Sequence, residues 1–139
     1  MPPQSTTTTG TSRTVLIGGR IVGALLLAAM AVIHLVLWFQ GYRDIAVIGP
    51  GFMVNAVGGL VLAVAVLVVG TRRLPLVAGI ATVFTAGSLG ALIISLTVGL
   101  FGVSEQLDTP FVPTSLIVEA IGTVVLAALT WFAAQSRTG

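Results

Sequence analysis

The sequence predicts an all-α, polytopic membrane protein: a bundle of four transmembrane helices, built as two parallel-repeat helical hairpins, with both termini cytoplasmic. Three observations carry this. Only 7% of the 139 residues are charged and 56% are hydrophobic, with a mean hydropathy of +1.13. A soluble domain carries roughly a quarter charged residues and needs them to cover its surface, so the solvent for this surface is lipid. The apolar residues gather into four runs, each long enough to cross hydrocarbon and each bounded by Gly, Pro or charge. Finally, the stretch from Val54 to Ala63 returns from Val118 to Ala127 with six of ten residues identical.

Residues 1–14 are polar, Thr-rich and Pro-bearing, with nothing to bury, and read as a disordered tail. The first helix is expected over about 17–39. Ile21 to Phe39 alone gives roughly 28 Å of helix, enough to span. A signal peptide is the competing reading, since Arg13 and Arg20 precede Ala29-Met30-Ala31. The run continues past Ala31 to Trp38-Phe39, an interfacial anchor, so it reads as a retained span. After a Gly- and Pro-punctuated loop, the second helix is expected over 52–70, closed by Gly70 and Arg72-Arg73. The short turn before Pro75 predicts a tight antiparallel hairpin with the third helix, 76–101. The fourth, 115–135, follows a loop with Pro110 and Pro113. Thr114 or Ser115 is expected to cap it. Residues 136–139 form a short tail.

Charge placement orients the chain. Arg13, Arg20, Arg72, Arg73 and Arg137 fall on one side and only Arg43 on the other, which predicts a multi-pass protein of the bacterial plasma (inner) membrane with both ends inside. The basic balance (six Arg, no Lys, four acids) is therefore orientation charge, not a nucleic-acid footprint. The chain has no Cys, which excludes disulfides, thiol catalysis and thiolate metal sites.

The repeat extends beyond its ten residues. His34-Leu35 and Ser95-Leu96 close the first and third helices, each followed by Gly seven positions on, Gly41 and Gly102. Both hairpins enter from the same side, which makes this a parallel repeat. Chance stands against it in a chain dominated by Ala, Val, Gly and Leu. Small residues recur at steps of four: Gly19 and Gly23; Asn55, Gly59 and Ala63; Gly87, Ala91, Ser95 and Gly99. In lipid, close approach over such residues supplies the attraction between helices, in a bundle or toward a partner.

Counted inward from the expected helix ends, His34, Asn55, Ser95 and Glu119 all lie roughly 6–9 Å beneath the outer boundary. They include the chain's only His and the only acid and only Asn within a span. Ionisable groups facing lipid cost a few kcal/mol, so this layer should face inward. Two readings are open. The residues form a polar pocket open to the outside, with His34 and Glu119 paired and Arg43 above as an alternative partner; or they are polar glue between helices, contributing about 0.6–2 kcal/mol per bond. One His cannot ligate haem twice, and no cluster has metal spacing, so no cofactor, metal or catalytic set is expected. Ser88, Ser95 and the span threonines are expected to bond back to their own helices.

The residues His34-Leu35-Val36-Leu37-Trp38, Gly41-Tyr42-Arg43-Asp44-Ile45, Ile48-Gly49-Pro50 and Asn55-Ala56-Val57 resemble the small four-span membrane proteins widespread in actinobacteria. The likeness covers roughly 20–70. That family has no assigned activity, so the resemblance implies a topology only. The leading functional expectation is a non-enzymatic accessory or scaffold subunit, with the bilayer and a membrane-protein partner or a second copy as neighbours. The alternative is a protein binding or transporting a small molecule, ion or proton through the His34/Glu119 pocket. A membrane enzyme or redox carrier is the remote third.

Overall fold

The computed structural model describes residues 7–138. They form α1 (Thr7–Phe39), a 3-10 turn at Tyr42–Asp44, α2 (Ile48–Val68), α3 (Leu74–Thr97) and α4 (Val112–Gln135). Each of the four is long and apolar enough to cross a membrane. The protein is an all-helical, multi-pass membrane bundle.

The bundle's outer surface is apolar. Leu25, Val54, Val61, Val83 and Val124 are all at least 61% exposed, as side chains meant for lipid should be. Inside, Leu27, Met30, Val66, Leu74 and Leu126 are sealed among Ala24, Ala63, Ala78, Ala81 and Ala133. Small residues let the backbones close up. A methyl on Gly59 would sit 3.2 Å from the Leu27 carbonyl oxygen and 3.1 Å from Ala31 Cβ, so α1 and α2 approach closely there over small residues. Gly19 and Gly23 seat Leu129 and Leu126 of α4.

Helix α1 packs on α2 and α4, and α3 packs on α4, while α2 and α3 meet only sparingly. The short turn does join α2 and α3 as a hairpin, but the hairpin is not tightly packed along its length. The ring of Phe84 stands over Gly58, 2.8 Å from where a Cβ would be, and fills the space between them. The small-residue stripe of α3 seats no helix either: Gly87 faces open space, and Ala91 and Ser95 line a cavity.

Helix ends differ from expectation for backbone reasons. Thr7 to Thr14, expected within the disordered tail, continue α1, with no Pro after Pro3 to stop it and the Thr14 hydroxyl donating to the Gly10 carbonyl. The rest of that tail lies outside the described residues. Helix α2 begins at Ile48, with Pro50 in its first turn, where a missing N–H costs nothing. Helix α3 stops at Thr97 because Gly99 takes φ +84° and its N–H returns to Ile94. A tight turn follows, Leu100 to Val103, with φ positive at both Phe101 and Gly102. Helix α4 starts at Val112, so Ser115 is no cap but a buried residue within its first turns. Neither Val47 nor Phe111, which precede α2 and α4, offers a capping side chain, and both hold positive φ.

The buried faces of α2 and α4 align Ala56, Gly59, Ala63 and Val66 with Glu119, Gly122, Leu126 and Leu129. That register is one residue off the sequence echo, which pairs Asn55 with Glu119. A one-residue step turns a helix by about 100°. The Asn55 side of α2 therefore faces α3 across the gap, and its buried side faces α1.

At the end that carries Leu16, Thr71 and Arg137 around one depression, Arg20 of α1 reaches across to α2. Its guanidinium donates to the carbonyls of Val66 (3.0 Å), Leu67 (3.3 Å) and Val69 (2.7 Å). Those are carbonyls at the end of α2 that no helical N–H can reach, so an orientation charge also closes a helix.

Candidate functional site

The sparse contact of α2 with α3 leaves room at the opposite end, beneath the loops 40–47 and 98–111. A cavity of about 280 Å³ opens there, lined by all four helices and both loops. Its walls are mostly apolar, from Leu37, Ile48, Leu92, Leu100 and Phe101 among others. Its floor is polar.

Four side chains make that floor, one from each helix. Asn55 Nδ2 donates to Ser88 Oγ at 2.6 Å, and Ser88 Oγ donates to Glu119 Oε1 at 2.8 Å. His34 Nδ1 lies 2.9 Å from the Met30 carbonyl oxygen, which can only accept, so Nδ1 carries the hydrogen there. Nε2 is thereby turned toward Glu119 Oε1, 3.8 Å away and beyond hydrogen-bond reach. Glu119 is 1% exposed and His34 8%. Two buried atoms of this floor have no partner among the described residues, Asn55 Oδ1 and Glu119 Oε2.

One wall is a column of rings. His34 meets Phe52 edge-on at 5.0 Å, and Phe52 stacks on Tyr42 at 4.8 Å with the planes 17° apart. Tyr42 donates its hydroxyl to Glu105 at the mouth. The loop that carries Glu105 is tied down by α3: Ser95 Oγ donates to the Val103 carbonyl at 3.1 Å, and the Glu105 N–H donates to the Ser95 carbonyl at 3.2 Å.

Burial and the Glu105 carboxylate hold the Tyr42 phenol well above its usual range. The raised value means the native state keeps this proton where the unfolded chain has lost it. Stability from this contact is therefore complete below roughly pH 10, the ordinary tyrosine value, and declines as pH rises above it. Tyr42 is the chain's single tyrosine, so ultraviolet difference absorbance reads it directly. The native protein is expected to show little phenolate at roughly pH 10.5, against more than half for free tyrosine; phenolate at the free-tyrosine midpoint would refute the contact.

The mouth is also set by Gly49. A methyl there would stand 2.4 Å from the Arg43 carbonyl oxygen and 2.9 Å from that of Tyr42. Only a bare Cα lets the 3-10 turn lie on α2. Gly49→Ala is expected to cost about 1–3 kcal/mol by overpacking against backbone and to shift Tyr42 off Glu105. A titration of Tyr42 that is unchanged in this variant would count against it.

The residues singled out in the sequence separate into two groups. His34, Asn55 and Glu119 converge on one point. Ser95 lines the same cavity but spends its hydroxyl on the loop. Arg43 is not brought to Glu119: it lies on the surface, 3.5 Å from Asp44, and lines no part of the cavity. Ser88 is the residue missed. It bridges Asn55 to Glu119 instead of bonding back to its own helix, and its position seven residues before Ser95, on the same face of α3, was the available signal. Phe52, Tyr42 and Glu105 carried no sequence signal as a wall and mouth. Comparison with protein-family models, curated proteins and solved structures found no match.

Proposed function

We propose that this is a non-enzymatic binding protein of the bacterial plasma membrane, holding a small amphiphilic molecule in the cavity between its helices. The Arg distribution supports termini inside and the cavity mouth outside. One observation carries the reading: a cavity with apolar walls ends on two buried polar atoms that nothing among the described residues satisfies. Leaving a polar group unpaired in a membrane interior costs several kcal/mol, and a scaffold gains nothing from that cost. A ligand with an apolar body and a polar head removes it. The volume, about 280 Å³, lies just below the usual range of ligand pockets, roughly 300–1,000 Å³, so the ligand is a small one.

The accessory-subunit reading has its own observation. Gly87 and Gly90 on α3 have nothing within 4 Å, which leaves room for another helix. Native mass spectrometry of the full chain, released from mild detergent, separates the two. The binding reading expects a small-molecule adduct that disappears in Ala91→Phe, which fills the cavity, while the bundle stays folded. A stoichiometric protein partner, with no adduct in either form, would replace binding by the accessory role.

A further inference from the structure

We infer that the molecule this cavity is built for is an organic cation, a protonated amine on a small apolar or aromatic body, held by the Glu119 carboxylate. The inference rests on the binding reading above and names its ligand class. It follows from which atoms remain free at the floor. The Ser88 hydroxyl is spent on Glu119, the Ser95 hydroxyl on Val103, the Tyr42 hydroxyl on Glu105 and the His34 Nδ1 hydrogen on Met30. Of the two atoms left unpartnered, Asn55 Oδ1 accepts, and Glu119 Oε2 accepts once the carboxyl is ionised, the state that a bound ammonium favours. With its hydrogen on Nδ1, neutral His34 offers a third acceptor at Nε2. An ammonium supplies three donors and a charge, which is the complement of that set.

Charge and aromatic content point the same way. The loops at this end carry Asp44, Glu105 and Asp108 against the single Arg43, while the remaining Arg residues stand on the opposite end. Glu105 guards the mouth, no Arg lines the cavity, and the Phe52–Tyr42 column lies between the two carboxylates. Ring faces attract cations as well as apolar bodies. An anion would meet two carboxylates and no positive side chain. A neutral amphiphile could fill the walls, but it would bring no charge to pair with an ionised Glu119.

The test uses the full chain in nanodiscs of zwitterionic lipid, with empty discs subtracting partition into the bilayer. Phenethylamine, 2-phenylethanol and phenylacetate are close in size and differ in charge; each is titrated by calorimetry near neutral pH. The expected result is saturable binding of the amine, weaker by roughly tenfold or more for the alcohol and the acid. Glu119→Gln keeps the shape and is expected to bring the amine down to the level of the alcohol. If that variant fails to fold, the comparison of the three probes on the native protein still decides. Equal binding of amine and alcohol overturns the cation while leaving the cavity a binding site. Preference for the acid overturns it as well. If none of the three binds, the cation is overturned, and the adduct measurement with Ala91→Phe decides separately whether the cavity binds anything.

Discussion

Leu126→Ala should be the most damaging single truncation in the bundle, costing about 2–5 kcal/mol as buried leucines do when the cavity left behind cannot collapse. Leu126 is fully buried, and its Cδ2 fills the notch of Gly23, 2.9 Å from where a Cβ would stand. It joins α1 to α4, and α4 is the helix through which α3 is attached. The measurement is reversible unfolding in mixed detergent, followed by circular dichroism. Val124→Ala, two residues away and 69% exposed to lipid, is the control and should change little, within about 0.5 kcal/mol. Gly23→Ala sharpens the test. Alone, it pushes a methyl into the Leu126 side chain and costs something. On top of Leu126→Ala, the same methyl enters the vacated space and should return part of the loss. Residues in contact couple in this way; distant ones add. If Leu126→Ala costs no more than Val124→Ala, the α1–α4 seam is not packed as described.

The bundle was legible because its cause is crude. A chain with so few charges must dissolve in lipid, and lipid admits helices that satisfy their own backbones. The site was legible as far as depth along a helix could be counted. Asn55 and Glu119 were each placed by their distance from the start of their own helix, and both reach the floor. Ser95 was misplaced because α3 ends at Thr97 and not at Phe101. The cause is local: Gly99 enters positive φ four residues after Ser95, a conformation that Gly permits without announcing. Shortened by those residues, α3 puts Ser95 at the mouth and Ser88 on the floor. The gap between α2 and α3 was not legible at all. A short turn ordinarily brings helices together, and only the direction of the Phe84 ring shows why these part. Arg43 stands in a loop as expected but is turned to the surface beside Asp44, since a loop residue has no periodicity to fix where it points.

The largest disagreement between a pocket and mere interhelical glue appears in Glu119→Leu, because the two predict opposite signs. If the carboxyl holds helices together, its removal costs about 0.6–2 kcal/mol, the usual value of a polar contact between spans. The geometry predicts otherwise. Glu119 accepts one hydrogen bond, from Ser88, stands 3.8 Å from His34, and leaves Oε2 unpartnered while 1% exposed. One such bond does not offset the burial of a carboxyl. The groups left behind are also provided for. His34 keeps its bond to Met30, and the Ser88 hydroxyl can turn to its own helix, as Thr82 does to Ala78 and Thr130 to Leu126. Replacing a whole buried ion pair by apolar residues is often neutral or stabilising by about 1–4 kcal/mol. The same desolvation argument extends to Glu119, whose neighbour His34 is neutral and is left with no stranded charge. Glu119→Leu is therefore expected to leave the empty bundle as stable as before or more so, while phenethylamine binding disappears. Stability retained at the expense of binding is the trade expected of a functional residue. A loss of stability in this variant, with amine binding reduced only in proportion to the folded fraction, would return Glu119 to a structural role and leave the cavity without its floor.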